Sequence, residues 1–372
     1  MNTRTAASTV PDEERRPERH LSHPKITGLN VGLNVVCRIS LARTEPERRC
    51  MLWLANYANV EHVCADLLAD QLDLERAYIR AALTDPDVDL TRFVRQVKAF
   101  RKTYEEAIPT MVQTEVRDTV DNAIRYAMSR RRMVEVVGKN RMGKSECARV
   151  HWKKNLDRVI WFECPVAQAD RDFVYEGVRA CGMGTGTAMK PSQLRPRMKA
   201  IFSPKLFDTL IVDEGHRLWP SNIKYQPVRI EFLREIYNDG QGASVVILAT
   251  PQHTVSLNRA LKENLRWAPG QYQGRVVPFP LKETMSPEDL KAIARHHGAD
   301  LTAGQLDILV QQATATQGYA GLMVNTIDLA RFYANEGKIT QAHFDRALLQ
   351  ALIQTGLGQA ARDKAAKGKA AS

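Results

Sequence analysis

Gly138-Lys139-Asn140-Arg141-Met142-Gly143-Lys144-Ser145 stands between an apolar run at residues 133–137 and a helical stretch at residues 146–155. This is the pattern G-x-x-x-x-G-K-S in the order strand, loop and helix, the context in which the pattern binds a phosphate chain. The two glycines let the backbone turn its N–H groups inward, and the amino end of the following helix adds partial positive charge. A glycine-rich turn that matches by chance is the alternative, and the flanking strand and helix disfavour it.

The residues of this loop have distinct predicted roles. Lys144 is expected to reach the β- and γ-phosphates, and the Ser145 hydroxyl is expected to bind Mg²⁺. The pattern therefore predicts ATP and Mg²⁺ as cofactors. The predicted nucleotide-binding residues are Gly138, Asn140, Gly143, Lys144, Ser145 and Glu146.

A second motif is the run Leu210-Ile211-Val212-Asp213-Glu214, an apolar strand that ends in two carboxylates. Because open α/β sheets bind ligands at the carboxyl ends of their strands, we expect both carboxylates to face the same crevice as the phosphate loop. Asp213 would hold the magnesium ion, and Glu214 would orient and deprotonate a water for attack on the γ-phosphate. A solvated acidic turn is the alternative, which the preceding phosphate loop makes less favoured. The two motifs together predict an ATPase.

Composition bounds the class of protein. The 372 residues include 53 Lys and Arg against 42 Asp and Glu, a net charge of +11. Such a balance suits a polyanionic partner such as DNA, although generic solubility charge explains it equally well. The six cysteines lack the C-x-x-C spacing of zinc sites and indicate reduced thiols of a cytoplasmic protein. No apolar stretch of about 18 residues occurs, so no membrane association is expected.

The pattern along the chain predicts five segments. Residues 1–25 are polar and rich in Arg, Glu and Pro, which predicts a disordered tail. Residues 26–108 are expected to form a helical domain, residues 109–280 an α/β core, and residues 281–355 an all-helical lid. Residues 356–372 are Ala-, Lys- and Gly-rich and are expected to form a flexible basic tail.

The core is predicted to alternate between strands and helices, which indicates a parallel sheet with both faces covered. The expected strands lie at residues 133–137, 158–163, 209–213 and 244–249, and the helices at 146–155, 170–180, 191–202 and 225–238. Beyond residue 280 only helices are expected, at residues 286–296, 303–315, 319–335 and 340–352.

Residues 65–83 within the first helical segment have the pattern helix, tight turn, helix, with Asp73 expected as the N-cap of the second helix. This is the layout of a helix-turn-helix, in which the second helix lies in the major groove of DNA. Arg76 and Arg80 on that helix favour DNA binding, whereas Glu75 does not. A plain helical bundle that packs on a neighbouring domain is the alternative.

A parallel α/β core with these two motifs, followed by a small helical domain, resembles the AAA+ ATPases. The resemblance implies that Thr250, at the end of the fourth strand, contacts the γ-phosphate or the attacking water. It also implies a catalytic arginine that reaches the nucleotide of the next subunit. The candidates are Arg259, Arg266 and Arg275, of which Arg275 is the best placed, and surface charge is the alternative for each.

One departure from the AAA+ pattern concerns the lid. AAA+ proteins often place a second arginine in a G-x-x-R pattern there, but the corresponding segment is Gly318-Tyr319-Ala320-Gly321-Leu322, with glycine at the arginine position. This departure implies weak nucleotide-driven movement of the lid and slow turnover.

The order helix-turn-helix, linker at residues 109–114 and phosphate loop resembles the MuB, TnsC and TniB family of transposition regulators over residues 45–350. That resemblance implies a homo-oligomeric ring or filament on duplex DNA that recruits a transposase or integrase and disassembles on ATP hydrolysis. A helicase loader and a signalling or defence switch are the alternative functions. The candidate DNA contacts in the core, each of which is alternatively a solvated charge, are Lys190, Arg195, Arg197, Lys199, Lys224 and Arg229.

Overall fold

The computed structural model describes most of the chain between residues 31 and 354. The described residues are 31, 33–166, 169–182, 190–222, 224–238, 242–263, 268–297, 301–335 and 337–354. The predicted tails at residues 1–25 and 356–372 therefore lie outside the described residues.

The first part of the described chain is helical, as expected. Its helices are α1 (Leu33–Ser40), α2 (Glu45–Val60), α3 (Ala65–Leu72), α4 (Arg76–Thr84) and α5 (Thr91–Ala107). Aromatic rings join two of them, because Trp53 and Tyr57 of α2 stack at 5.1 Å and Phe100 of α5 meets both rings edge-on.

The second helix of the 65–83 unit begins later than the sequence predicts. Asp73 does not cap it but ends α3 in the left-handed conformation, at φ +50°, with its N–H bonded to the carbonyls of Ala69 and Asp70. The N-cap of α4 is Glu75, in an extended conformation. A short polar side chain tolerates the left-handed region, so the predicted N-cap is a C-cap and the prediction at Asp73 is wrong.

The middle of the chain forms a five-stranded parallel sheet in the order β2-β3-β4-β1-β5, which confirms the predicted α/β class. The strands are β1 (Met133–Val137), β2 (Val159–Glu163), β3 (Thr209–Asp213), β4 (Ser244–Ala249) and β5 (Val276–Pro280). The helices around them are α6 (Glu115–Arg130), α7 (Lys144–Lys154), α8 (Asp170–Ala180), α9 (Pro191–Ile201), α10 (Val228–Tyr237), α11 (Pro251–Lys262), α12 (Pro269–Gln273) and a 3₁₀ helix (Gly215–Leu218).

The last described part is an all-helical unit, again as expected. It consists of α13 (Pro287–His296), α14 (Ala303–Ala315), α15 (Tyr319–Ala334) and α16 (Gln341–Gln354). Each helix begins and ends within two residues of its predicted bounds.

The two faces of the sheet serve two apolar clusters. In β4, Val245 and Ile247 belong to the cluster that includes α1–α5, whereas Val246 and Leu248 belong to the cluster that includes α6 and α13–α16. This alternation follows from the two-residue period of a strand. The first helical region and the lid are thus packed on opposite faces of one sheet.

Buried polar contacts add to the apolar packing of the first helical region. Asn56 of α2 is fully buried and donates to the carbonyl of Leu156 at 2.7 Å and, more weakly, to that of Val159 at 3.4 Å. The Arg49 guanidinium donates to the carbonyls of Asp157 and Leu206. No helix in the described ranges is long and apolar enough to cross a bilayer.

Candidate nucleotide-binding site

A cavity of about 440 Å³ opens at the carboxyl ends of β1, β3 and β4. The parallel register brings the ends of these strands to one edge, since Val137 pairs with Ala249 and Glu163 pairs with Asp213. The predicted site residues that line this cavity are Asn140, Gly143, Lys144, Ser145, Glu146, Asp213, Glu214 and Thr250.

The loop between β1 and α7 has the geometry of a phosphate cradle. Gly143 caps α7 at φ +92°, a conformation that costs glycine little and other residues much. Lys144 then begins the helix, so the free N–H groups of its first turn are at the mouth of the loop. Gly138 anchors the start of the loop by donating its N–H to Ala249 of β4 at 3.1 Å.

The Lys144 ammonium is held inside this loop. It donates to the carbonyls of Gly138 and Lys139, both at 2.7 Å, and is 8 % exposed. Burial lowers the pKa of Lys144 to about 8, against the opposing effect of Asp213 and Glu214. A phosphate oxygen offers this ammonium a stronger, charge-assisted partner than a carbonyl.

Asp213 and Ser145 both line the cavity. One oxygen of the buried Asp213 carboxylate accepts the N–H of Glu214 at 2.8 Å, which fixes the orientation of the side chain. A carboxylate and a hydroxyl in one cavity are the hard oxygen ligands that Mg²⁺ takes from protein, its other ligands being phosphate and water oxygens. The oxygen donors of Ser145 and Asp213 therefore fit a magnesium whose other ligands come from a nucleotide and water.

Glu214 stands just beyond the end of β3 in a strained conformation, at φ +55°. Its carboxylate lies 3.2 Å from Nδ1 of His216 and 4.0 Å from the guanidinium of Arg217. Burial lowers the pKa of His216, the Glu214 charge opposing this shift. Left-handed residues outside glycine concentrate at functional sites, where the surrounding structure maintains the strain.

The far wall of the cavity was not predicted from the sequence. It comes from the linker before α6 and from the lid, and it is partly apolar. Its residues include Met111, Val112, Ile293, His297 and Val324. They share no motif, and only the folded chain brings the linker and the lid together.

A buried polar cluster beneath the cavity was also missed. His253 of α11, fully buried, contacts Glu135 of β1 at 3.2 Å and Tyr272 of α12 at 3.2 Å, and Trp219 donates to it at 3.0 Å. Burial and the Glu135 carboxylate raise the pKa of Tyr272 well above its usual value. The one signal in the sequence was Glu135 itself, a charge within an otherwise apolar buried strand.

Arg275 lies at the amino-terminal ends of the strands, whereas the cavity opens at their carboxyl ends. It directly precedes Val276, which pairs with Met133 at the start of β1, whereas the phosphate loop follows the end of β1. The length of a five-residue strand, roughly 15 Å, separates the two edges. Arg275 is absent from the lining of the cavity and donates to the carbonyl of Gln271 at 2.9 Å.

Arg229 differs from the other candidate DNA contacts because it is buried, at 3 % exposure. Its guanidinium donates to the carbonyls of Arg217 and Ala169, lies 3.5 Å from Asp170 and is above the Phe173 ring. A side chain enclosed in this way serves the packing of α8 and α10. It is therefore corrected from a candidate DNA contact to a structural arginine.

The remaining candidates are at least partly exposed. Arg76 pairs with Asp66 at 3.1 Å and Lys199 with Glu235 at 3.2 Å, while half-buried Arg195 lies above a phenylalanine ring. The other exposed candidates are Arg80, Lys190, Arg197 and Lys224.

Residues 127–257 match the family model described as an AAA domain. The comparison with curated protein sequences gave no match. Among solved structures, the chain is similar to Cdc6p from Pyrobaculum aerophilum, with 14 % identity over 64 % of this chain and 68 % of that one, at a TM-score of 0.47. It is also similar to the Thermotoga maritima RuvB Holliday junction branch migration motor, with 14 % identity over 65 % and 69 % of the chains, at a TM-score of 0.38.

The sheet order, the phosphate loop and the matched domain define the class. It is that of the P-loop nucleotide-binding proteins with an AAA domain. The match shows an AAA domain at residues 127–257, which is less than half of the chain, and the fold around it is that of the AAA+ P-loop proteins.

Proposed function

We propose that the protein is an ATP-dependent DNA-binding regulator of DNA transposition, which assembles on duplex DNA and is released by ATP hydrolysis. The observation that carries the ATPase part is the single cavity shared by the phosphate loop, Asp213, Glu214 and Thr250. The order of a helical region, an AAA core and a helical lid, with the family resemblance of that order, supports the transposition part.

In this proposal the chain's own residues divide the chemistry of hydrolysis. The loop N–H groups and Lys144 bind the phosphates, and Ser145 with Asp213 holds the magnesium, which neutralises phosphate charge when bound. Glu214 takes a proton from the attacking water, for which it must leave His216. Thr250 orients that water or the γ-phosphate.

Assembly would complete the site. Arg275 is on the edge of the sheet away from its own cavity, and in this proposal it serves a nucleotide held by a neighbouring subunit. A head-to-tail contact of this kind generates a ring or a helical filament. Hydrolysis would then depend on assembly, and nucleotide loss would weaken the contact.

Binding to DNA would be electrostatic and tolerant of sequence. The net charge of +11 and the exposed cations Lys190, Arg197 and Lys224 suit a phosphate backbone. In the 65–83 unit, Arg80 is exposed on α4 and is the better placed of the two arginines there.

The decisive experiment is nucleotide-dependent assembly on DNA. The full chain is mixed with duplex or single-stranded DNA and ATP, ADP or a non-hydrolysable ATP analogue, and complexes are followed by sedimentation and negative-stain microscopy. We expect oligomers on duplex DNA with ATP and the analogue only. Capture of a replicative helicase and preference for single strands would instead identify a helicase loader, and no DNA binding in any nucleotide state would favour a switch.

A further inference from the structure

The phosphate loop meets the lid at a junction where three residues other than glycine are in the left-handed region. They are Arg141 in the loop, at φ +65°, and Gln317 and Tyr319 at the start of α15, at φ +55° and φ +39°. Such a conformation is unfavourable for residues other than glycine and persists only where its surroundings fix it, typically at ligand clamps and switches. Residues with a strained backbone therefore lie on both sides of the contact between the phosphate loop and the lid.

The contact itself is specific. The Gly321 N–H of the lid donates to the carbonyl of Arg141 at 3.2 Å. A Cβ atom added to Gly321 would lie 3.2 Å from Cβ and 3.3 Å from Cγ of Arg141. The Arg141 side chain thus runs directly across this glycine, which has room for it because it carries no side chain.

The charged residues that line the cavity suit a phosphate-binding role for Arg141. The lysine and arginine side chains among the described residues that line the cavity are those of Lys144 and Arg141. The carboxylates that line it are those of Glu146, Asp213 and Glu214. A nucleoside triphosphate adds several more negative charges to this set. Guanidinium groups bind phosphate oxygens through two parallel N–H bonds, so an arginine is well suited to the second cationic position.

The place of Arg141 indicates which phosphate it serves. Arg141 and Thr250 line both the nucleotide cavity and an adjoining groove that also includes Gln252 and Gln317. Thr250 is the residue proposed to face the γ-phosphate. Arg141 is therefore at the same end of the cavity, beyond the loop carbonyls that hold Lys144.

We propose that Arg141 binds the terminal phosphate of the nucleoside triphosphate from within the same subunit, and that Gly321 keeps the space for its side chain. The loop thereby supplies a cation at the place where the lid presents Gly321. The Arg141 carbonyl also accepts the Gly321 N–H, so Arg141 joins the loop to the lid. Loss of the terminal phosphate would therefore remove a binding partner from the residue at this junction. This inference rests on the proposed nucleotide site.

Two substitutions of Arg141 separate charge from backbone strain. Arg141→Met removes the charge but keeps a long stem across Gly321, whereas Arg141→Gly removes the charge and suits φ +65°. ATP and ADP affinities are measured by fluorescent-nucleotide displacement, and folding by thermal unfolding. We expect both variants to bind ATP roughly 10- to 100-fold more weakly, as for loss of charge-assisted hydrogen bonds, and ADP within about threefold of the parent.

Two further variants complete the set. Gly321→Ala is expected to weaken ATP binding in the same direction by displacing the Arg141 side chain, and Arg141→Lys to restore part of the preference for ATP. Lys102→Met, which removes an exposed cation of α5, is the control for net charge. A parental ratio of ATP to ADP affinity in both Arg141→Met and Arg141→Gly, or equal loss of both nucleotides, overturns the inference.

The same measurements separate this inference from the proposed function. A parent protein that binds neither nucleotide defeats the nucleotide site as a whole. A parent that binds both, with Arg141 variants that keep its ATP preference, defeats only the role of Arg141.

Discussion

Lys144 is the buried lysine of the candidate nucleotide site. Its ammonium is buried, which lowers its pKa, and it is satisfied only by two carbonyls of its own loop. A bound triphosphate would replace those partners by charged oxygens. We therefore expect Lys144→Ala to reduce ATP affinity by at least about 100-fold, since hydrogen bonds between charged groups are the strong ones. Equilibrium dialysis with ATP measures this, and parental affinity would refute the cradle.

Glu214 should affect turnover without affecting binding. Its carboxylate lines the cavity and lies 3.2 Å from Nδ1 of His216, so a neutral isostere removes the proton acceptor but not the shape. Glu214→Gln is expected to keep ATP affinity within about threefold and to lower kcat by roughly 10²–10⁴, the range for a general base. Phosphate release at the parental rate would exclude Glu214 as the group that activates water.

Short motifs in the sequence predicted part of the candidate site, whereas the residues that only folding brings to the cavity were missed. The loop residues and Asp213 share one chemistry at fixed spacing, so their meeting at one sheet edge followed from parallel topology. Met111 and His297 reach the same cavity from distant segments without any common pattern. Arg229 was misjudged because composition does not distinguish an exposed guanidinium from one that packs on a ring.

At the element scale, helix α2 is tied to the sheet through a buried amide. Asn56 donates to the carbonyls of Leu156 and Val159, and its replacement leaves those acceptors and the space around them unfilled. We expect Asn56→Ala to lower the free energy of unfolding by about 1–3 kcal/mol, the cost of leaving a buried polar group unpaired.

The measurement for Asn56→Ala is chemical denaturation of the full chain, with Lys102→Ala on exposed α5 as the matched control. The control should stay within about 0.5 kcal/mol of the parent, as is usual for surface positions. An Asn56→Ala midpoint equal to that of the control would mean that the Asn56 amide contributes little to the stability of the fold.

The accuracy with which helix and strand bounds were predicted depended on how strong the apolar periodicity of each element is. The strands and lid helices were placed within a residue or two because their apolar periods are strong. The error at Asp73 arose because a short polar residue between two helices suits either a C-cap or an N-cap. That helices α1–α5 share an apolar cluster with the sheet agrees with the alternative of a helical bundle that packs on a neighbouring domain.

At the scale of the whole molecule, the proposed electrostatic contact with DNA has a salt signature. If the exposed lysines and arginines bind phosphates without reading bases, the logarithm of the binding constant falls linearly with the logarithm of salt concentration, with a slope near −0.9 per contact. We expect Lys190→Ala combined with Lys224→Ala to reduce that slope by about 2 for every DNA sequence tested. Fluorescence anisotropy with two unrelated duplexes measures it, and an unchanged slope would remove both residues from the interface.

Assembly makes a different demand, because the two halves of each catalytic site would come from different subunits. Lys144→Ala lacks a nucleotide cradle but retains Arg275, whereas Arg275→Ala retains the cradle but offers no arginine. Each variant alone is expected to lose at least about 90 % of DNA-stimulated hydrolysis, and an equal mixture to recover about a quarter of the parental rate by random pairing across head-to-tail contacts. Arg259→Ala, which replaces the other described candidate arginine, is expected to stay active. A mixture no more active than its components would show that Arg275 does not act on the neighbouring nucleotide.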